Sequence, residues 1–507
     1  MVYLSKSKYC GLWQCPKTLW LKQYKPEKLK IAGDVQSRMD AGNEVGDLAM
    51  GLFGDYVEVT VYNGEQLDLA AMLRRTEEEM GRGTANICEA SFSYHGLYCA
   101  VDILRKTSDG WAIYEVKSST KHLDDYGRYK DDKEIYLADI AYQKYVLEHC
   151  GIHVTGTFLV CLNGDYVRHG ELDVKQLFLI TDVAESIKVY LPDVEYNVSV
   201  AEEILQSDEE PDIGLNVHCN KPYKCGFWDY CSELLPIPSV FNLYRLKNKK
   251  KVEYYRNGWA SFEALEKYAP IKNETQLRQI DFELHDRDTY IDRAGIWAFL
   301  QELSYPLYFL DFETMQPVIP RYEGTHPYQQ ITFQYSMHYI EHEGGELKHK
   351  EFLAESGPDP RRALAEQLCA DIPMNVCTTA YNKSFECTRL KELAAAFPDL
   401  AEHLLNIRDN IKDLLVPFQS GYYYNRAMGG SFSIKSVLPA IFPDDPALDY
   451  HNLEGVHNGG EAMTIFPKIK DLPPAEQEIA RRNLLKYCEL DTYAMVKVWE
   501  ELVRVGK

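Results

Sequence analysis

The sequence predicts an α/β protein with two substantial domains and a helical segment between them. Three observations carry this expectation. The chain has 507 residues, 45% of them hydrophobic, more than one core usually organises. Strand-like apolar runs lead into acids at both ends of the chain: Val101-Asp102-Ile-Leu and Trp111-Ala-Ile-Tyr-Glu115 in the first half, and Tyr308-Phe-Leu-Asp311 in the second. The middle, from Leu235-Pro-Ile-Pro238 to Pro306, reads as short helices with glycine turns. The expected divisions are 1–235, a helical and partly basic connector 236–300, and 301–507.

In the C-terminal part, Asp311 and Glu313 stand two apart on a strand and so project from one face. Tyr487 and Asp491, four apart in Tyr487-Cys-Glu-Leu-Asp491, share a helix face. A fourth acid, Glu386, lies where the apolar run Thr379-Ala-Tyr gives way to a helix beginning near Asn382. Phosphodiester cleavage needs an activated water and a stabilised leaving oxyanion, and two divalent ions about 3.5–4 Å apart serve both. Oxygen ligands suit Mg²⁺ or Mn²⁺. Either short motif alone also fits a solvated strand end or an ordinary amphipathic helix.

Taken together, these residues resemble the DEDD exonucleases, which have an RNase H-like fold with a mixed sheet flanked by helices, in the subclass with a tyrosine in the third motif. The resemblance implies that Asp311, Glu313, Glu386 and Asp491 are metal ligands and that Tyr487 orients the attacking water. It departs at Glu386, where the family usually has aspartate. It further implies that Ser433-Ile-Lys435, after the strand-associated Asp413, starts a helix whose Lys435 touches the substrate backbone, a capped surface helix being the alternative. Phe333-Gln334-Tyr335 is expected on the strand beside Asp311, lining a groove for a terminal nucleotide.

In the N-terminal part, the two strand-like runs flank Thr107-Ser-Asp-Gly110 and read as a β-hairpin. Glu115 and Lys117 alternate with Ile113 on one side of its second strand, and Asp102 lies on the first. A hairpin with an exposed cross-strand ion pair is the alternative. The pattern resembles the PD-(D/E)xK nucleases of restriction-endonuclease-like fold, which implies that Asp102 and Glu115 bind metal while Lys117 steadies the phosphate or water. Helical Ala138-Asp-Ile-Ala-Tyr-Gln143-Lys-Tyr145 is similar to the glutamine-bearing helix of the RecB-like branch, which makes Gln143 a site residue and Tyr145 a weaker one. Glu89 is a further candidate acid.

Cys219, Cys225 and Cys231 recur at intervals of six, and Cys15 precedes Pro16 near the N-terminus. One N-terminal cysteine with a C-terminal trio resembles the iron–sulfur RecB-like nucleases, including CRISPR-associated ones, and implies a 4Fe-4S cluster. Thiolates favour Fe–S clusters or zinc. Zinc held by three cysteines and His218, or unligated buried thiols, remain open, and Cys10 is an alternative to Cys15.

No apolar run is long enough to cross a bilayer and no signal-peptide core opens the chain, so a soluble cytoplasmic protein is expected. Thirteen cysteines in that compartment argue for a metal site over a disulfide framework. The formal charge of −22 opposes binding a polyanion, but bound cations neutralise clustered acids. The stretch Arg245 to Arg256, with Lys247, Lys249, Lys250, Lys251, Tyr254 and Tyr255 and with Tyr244 just before it, is either a nucleic-acid contact or a solvated face. The functional expectation is a metal-dependent nuclease acting on nucleic acid, DNA with a free 3′ end foremost, with no membrane partner. Alternatives are one active exonuclease with a binding-only N-terminal domain, or a non-catalytic scaffold.

Overall fold

A computed structural model describes residues 3–30, 33–121, 134–221 and 223–507. The chain is mixed α/β and divides into two compact units, one comprising Met1–Leu234 with Val318–Tyr328 and the other Leu235–Pro317 with Gln329–Lys507. Residues 235–317 therefore pack with the C-terminal part.

The first unit is built on a seven-stranded mixed sheet. Its centre is three antiparallel strands, β1 (Asn86–Tyr94), β2 (Leu97–Lys106) and β3 (Trp111–Lys121). The strand β4 (Val154–Asn163) then lies parallel to β3, and β5 (Phe178–Asp182) antiparallel to β4. Val57–Glu58 extends the edge beside β1, and Leu4–Ser5 pairs with β2. The parallel β3–β4 pair needs a crossover, which includes helix α3 (Glu134–His149).

Helix α1 (Lys6–Gln14) starts at Ser5, whose hydroxyl accepts from Lys8 N as an N-cap. It packs with α3 over one face of the sheet, where Tyr9 stacks on Tyr142 at 4.5 Å between ring centres. Helix α2 (Lys17–Tyr24) follows after Pro16. On another core of this unit, Val318 and Ile319 pack with Tyr114 and Val160, and the Tyr328 hydroxyl donates to Ser118 O at 2.9 Å.

The second unit opens with short helices. Helix α4 (Asn248–Arg256) holds most of the basic run, but Lys251 turns inward to donate to Phe241 O at 2.6 Å, and Tyr254 is buried. Arg245, Lys247, Lys249 and Arg256 remain exposed. Ser261 caps the next helix, Phe262–Tyr268, by accepting from Ala264 N. The middle segment, read from the sequence as short helices up to Pro306, is not helical throughout. Thr289–Ile291 is a strand, paired with Tyr423–Asn425, before helix Arg293–Leu300.

A five-stranded sheet is the core of this unit. In chain order it comprises β6 (Leu307–Met315), β7 (Ile331–Ile340), β8 (Leu347–Leu353), β9 (Cys377–Ala380) and β10 (Ile411–Asp413). Their spatial order is β8-β7-β6-β9-β10; β6, β7 and β8 run antiparallel, while β9 and β10 run parallel to β6. All but one residue of central β6 is buried, which explains its nearly continuous apolar run. Helices α5 (Arg361–Asp371) and α6 (Ser384–Ala396) pack on one face with Leu310 and Phe312.

Helix α7 (Ile434–Ile441), α8 (Gly459–Ile465) and the 33-residue α9 (Pro474–Gly506) follow. Gln334 Nε2 donates to Leu484 O and Ser336 bonds Thr492, which sets α9 on the face of the sheet opposite α5 and α6.

Candidate active site

The acids of β6 are positioned by register. Asp311 pairs with Ser336 and Glu313 with Gln334, and the pairing shifts directly after Glu313. Such irregularities re-aim side chains at the ends of pairing. Both acids project toward α9, where Cys488 Sγ lies 3.8 Å from Asp311 Oδ2. One donor atom each from Asp311, Glu313 and Cys488 fall within 4.8 Å of one another.

Helix α9 also contributes Tyr487 and Asp491. Asp491 accepts from the Tyr450 hydroxyl at 2.6 Å, and Tyr487 bonds the same carboxyl. Lys435, near the start of α7, lies 3.4 Å from the Tyr487 hydroxyl and over the rings of both tyrosines. Gly459 borders the cluster, since a Cβ there would stand 3.4 Å from Glu313 Oε2.

Glu386, in the first turn of α6, adds its charge to the field at Asp311 and Glu313. Strand β9 ends at Ala380, and the chain turns through Asn382 in the left-handed region at φ 65°. Asp413 fixes this turn by accepting from Asn382 N at 2.8 Å and Lys383 N at 3.2 Å. Asp413 is thus a structural acid, and Glu386 the one carried inward. Glu386 is buried and its Oε2 has no hydrogen-bond partner.

Burial raises all four carboxyls. Asp311 is lifted well above the usual range, first by burial, then by Asp491, Glu313 and Glu386. Glu313 is lifted by burial and by Asp491, with Lys435 opposing. Burial pushes Glu386 up to about 8 and raises Asp491 against the pull of the Tyr450 bond. Buried carboxylates need cations or protons. The Lys435 ammonium opposes the rise at Glu313 and Asp491. The donors are hard oxygens with one thiol, which burial and Asp311 hold protonated, so the set fits Mg²⁺ or Mn²⁺ better than a soft metal.

Phe333, Gln334 and Tyr335 do lie on the strand beside Asp311, but they are fully buried. Phe333 stacks on Phe466 and the Tyr335 hydroxyl donates to Asp371. They have no surface with which to line a groove.

The first unit gathers a second polar cluster. Asp102 on β2 accepts from Val116 N at 2.7 Å, which orients it toward Glu115 on β3. Lys117 pairs with Glu115 and, at 2.9 Å, with Asp139 on α3. Gln143 Nε2 donates to Glu115 Oε2 at 2.6 Å and to Asp139 Oδ1 at 2.9 Å. Lys6 Nζ is 3.2 Å from both Asp102 and Glu115. The hairpin therefore presents a buried network.

Burial opposes ionisation of Glu115, but Lys117 and Lys6 outweigh it and hold its carboxyl far below the ordinary range. Asp139 is pushed up to about 6 by burial and Glu115. Glu89, at φ 57°, is pushed up to about 7 by burial and Asp102. Tyr145 instead lies against His149, with 4.0 Å between ring centres.

Cys15, Cys219, Cys225 and Cys231 line one cavity together with His218, Lys17, Phe227 and Trp228. Cys10 lies elsewhere, within the field of Asp139, Lys117, Lys6 and Glu115. None of the thirteen cysteines forms a disulfide. Burial raises the thiols of Cys15, Cys219 and Cys231.

Sequence reasoning missed Tyr450, Cys488, Asp139 and Lys6 as site members. Asp139 was within reach of it, being four residues before Gln143 on one helix face. Cys488 lay inside the quoted third motif. Tyr450 and Lys6 carry no local signal, because only the fold brings them to the acids.

Fold and site together define an α/β protein with two buried clusters of acids and a four-cysteine cavity. Residues 308–433 match a family described as a domain of unknown function (DUF2779). This span holds Asp311, Glu313 and Glu386 and stops before α7 and α9. The chain is also similar to an uncharacterized protein, UU173, of Ureaplasma parvum serovar 3 (strain ATCC 700970). The two are 28% identical over 249 residues, 44% of this chain and 35% of the relative. The chain thus spans about a third of that relative's length. No solved structure matches. No helix among the described residues is long and apolar enough to cross a membrane.

Proposed function

We propose that the protein is a metal-dependent nuclease whose C-terminal unit removes nucleotides from 3′ ends of nucleic acid, DNA foremost. The observation that carries this is the gathering of four carboxyls from β6, α6 and α9, Glu313 and Glu386 buried and Asp311 and Asp491 half-buried, with Tyr487 and Lys435 beside them. The sheet order supports an RNase H-like reading, with three antiparallel strands followed by two parallel to the first. Asp311, Glu313, Glu386 and Asp491 would hold Mg²⁺ or Mn²⁺, which supplies activation of water and charge stabilisation at the leaving oxygen. Tyr487 stays a neutral phenol because burial, then Asp491 and Glu313, raise its pKa. Its single proton, directed here to Asp491, would be free to turn to the attacking water or a phosphate oxygen once a metal ion engages that carboxyl. Lys435 offers a cation to the substrate backbone.

In the first unit, Asp102, Glu115, Lys117 and Gln143 support a second nuclease site of PD-(D/E)xK type. The four cysteines around one cavity support a 4Fe-4S cluster, with zinc as the lesser alternative. One observation favours a second reading, in which this unit binds nucleic acid without cutting it. Lys6, 3.2 Å from both Asp102 and Glu115, and Lys117, paired with Glu115, together set two cations against those two acids, so the pair needs no metal for charge balance.

The test pairs binding with cleavage. Calorimetric titration of the whole chain with Mn²⁺ at pH 7 should show ion uptake with proton release, of which the share taken by the four acids is lost in Asp311→Asn, and the loaded protein should cut DNA or RNA. Mn²⁺ uptake indifferent to Asp311, or uptake with both substrates left intact, contradicts the reading.

A further inference from the structure

Away from the four acids, β7 and β8 place His338 and His349 directly opposite each other in antiparallel register. Their ring centres are 4.5 Å apart. His338 is buried beneath α9, His349 half-buried, and Glu489 of α9 sits at the rim. One donor atom from each of the three lies within 4.8 Å of the others.

The hydrogen bonds around the pair fix which nitrogens are free to act as donors. Thr492 Oγ1 donates its single proton to Glu489 O at 3.1 Å. It must then accept from Ser336 Oγ, 2.8 Å away, and from His338 Nδ1, also 2.8 Å away. Ser336, its proton given to Thr492, must in turn accept from His349 Nε2 at 2.9 Å. In the arrangement in which all four of these bonds form together, each imidazole carries its proton on the nitrogen that faces a hydroxyl. That arrangement leaves lone pairs on His338 Nε2 and His349 Nδ1, and Glu489 Oε1 is 4.0 Å from the latter.

We propose that His338, His349 and Glu489 form a zinc site, separate from the four-acid cluster, that ties α9 to β7 and β8. Two neutral imidazoles whose second nitrogens bond fixed hydroxyls, plus one carboxylate, is a ligand set suited to Zn²⁺. Imidazole nitrogen also sorts this site from the all-oxygen acids a few residues away, since Mg²⁺ and Mn²⁺ prefer the latter. Tetrahedral zinc donors at 2.0–2.1 Å from the ion lie about 3.3 Å apart. Glu489 must therefore swing inward by roughly 1 Å, which a half-exposed side chain on a helix surface can do. Burial and His349 hold His338 neutral, lowering its pKa to about 4. Glu351, two residues along β8 from His349 and coupled to both His349 and Glu489, is within the same field. Closing this site would hold the helix that carries Tyr487 and Asp491, so zinc would act on the four-acid cluster through position alone.

The test is the zinc content of the whole untagged chain after equilibration with micromolar Zn²⁺ and desalting, measured beside His349→Ala, Glu489→Gln and Asp311→Asn. Zinc at the cysteines is common to all four proteins and cancels in the difference. We expect His349→Ala to hold one equivalent less than the wild type, Glu489→Gln to bind that equivalent at least tenfold more weakly, and Asp311→Asn to keep it. If His349→Ala fails to fold by circular dichroism, Glu489→Gln decides alone. Equal zinc in the wild type and in folded Glu489→Gln at every Zn²⁺ concentration would overturn the proposal. So would a loss in Asp311→Asn matching that in His349→Ala.

Discussion

The Tyr450 hydroxyl donates to Asp491 Oδ1 across 2.6 Å, joining a turn between α7 and α8 to the helix that carries the third acid motif. The bond fixes the carboxyl's rotamer and leaves its other oxygen for a second partner. Replacing Tyr450 by Phe should leave the fold intact and lower Mn²⁺ affinity or cleavage by about 10- to 100-fold, the usual cost of losing an orienting partner of a metal ligand. Steady-state cleavage against Mn²⁺ concentration checks this, and an unchanged curve would remove Tyr450 from the site.

The four acids make metal-free stability depend on pH with a defined sign. Glu386, with an ordinary value of 4.5, is pushed up to about 8 by burial, and Asp311, Glu313 and Asp491 are raised as well. A raised carboxyl keeps its proton in the folded chain where the unfolded chain has lost it. Its contribution is fully present below pH 4.5 and is lost as pH rises through about 8. Each such proton makes stability fall by up to about 1.4 kcal/mol per pH unit within that window. In chelator, Tm should therefore drop from pH 6 to 8.5. Excess Mn²⁺, which binds the ionised acids, should widen its Tm gain over the same range. A gain that shrinks with pH, or persists in Asp311→Asn, would contradict the assignment.

Lys6 is the cation between Asp102 and Glu115 in the first unit. Changing Lys6 to Met strips two largely buried carboxylates of one partner and should cost about 3 kcal/mol in chelator. If the pair is a metal site, Mn²⁺ should restore most of that loss; if it is a structural ion network, Mn²⁺ should restore none. Urea unfolding with and without Mn²⁺ separates the two.

The cysteine cavity predicts a residue-specific difference. Cys15 lines it and Cys10 does not. Cys15→Ser should lose iron and visible absorbance in anaerobically purified protein, while Cys10→Ser should keep both. Equal iron in the two variants would remove Cys15 from the ligand set.

Much of the site was legible because short-range geometry determined it. The two-residue strand spacing of Asp311 and Glu313, the helical spacing of Tyr487 and Asp491, and the hairpin that carries Asp102 and Glu115 all survive folding unchanged. What failed depended on register and packing. Phe333-Gln334-Tyr335 sits on the expected strand, but α9 and α5 cover its two faces, so proximity to Asp311 did not mean access. The basic run divides in a way its spacing does not show: Tyr254 enters a small core and Lys251 bonds Phe241 O, while Arg245, Lys247, Lys249 and Arg256 stay exposed. Tyr450 and Lys6 reach the acids only through contacts 41 and 96 residues apart in sequence, which no local pattern encodes.

The nuclease assignment stands or falls on digestion of 5′-labelled single-stranded DNA and RNA by the whole chain in Mn²⁺, beside Asp311→Asn and Glu115→Gln. It predicts a ladder that shortens from the 3′ end on at least one substrate, abolished in Asp311→Asn and retained in Glu115→Gln. Full-length strands after prolonged incubation with Mn²⁺-loaded wild type, or a ladder that Asp311→Asn still makes, would contradict it.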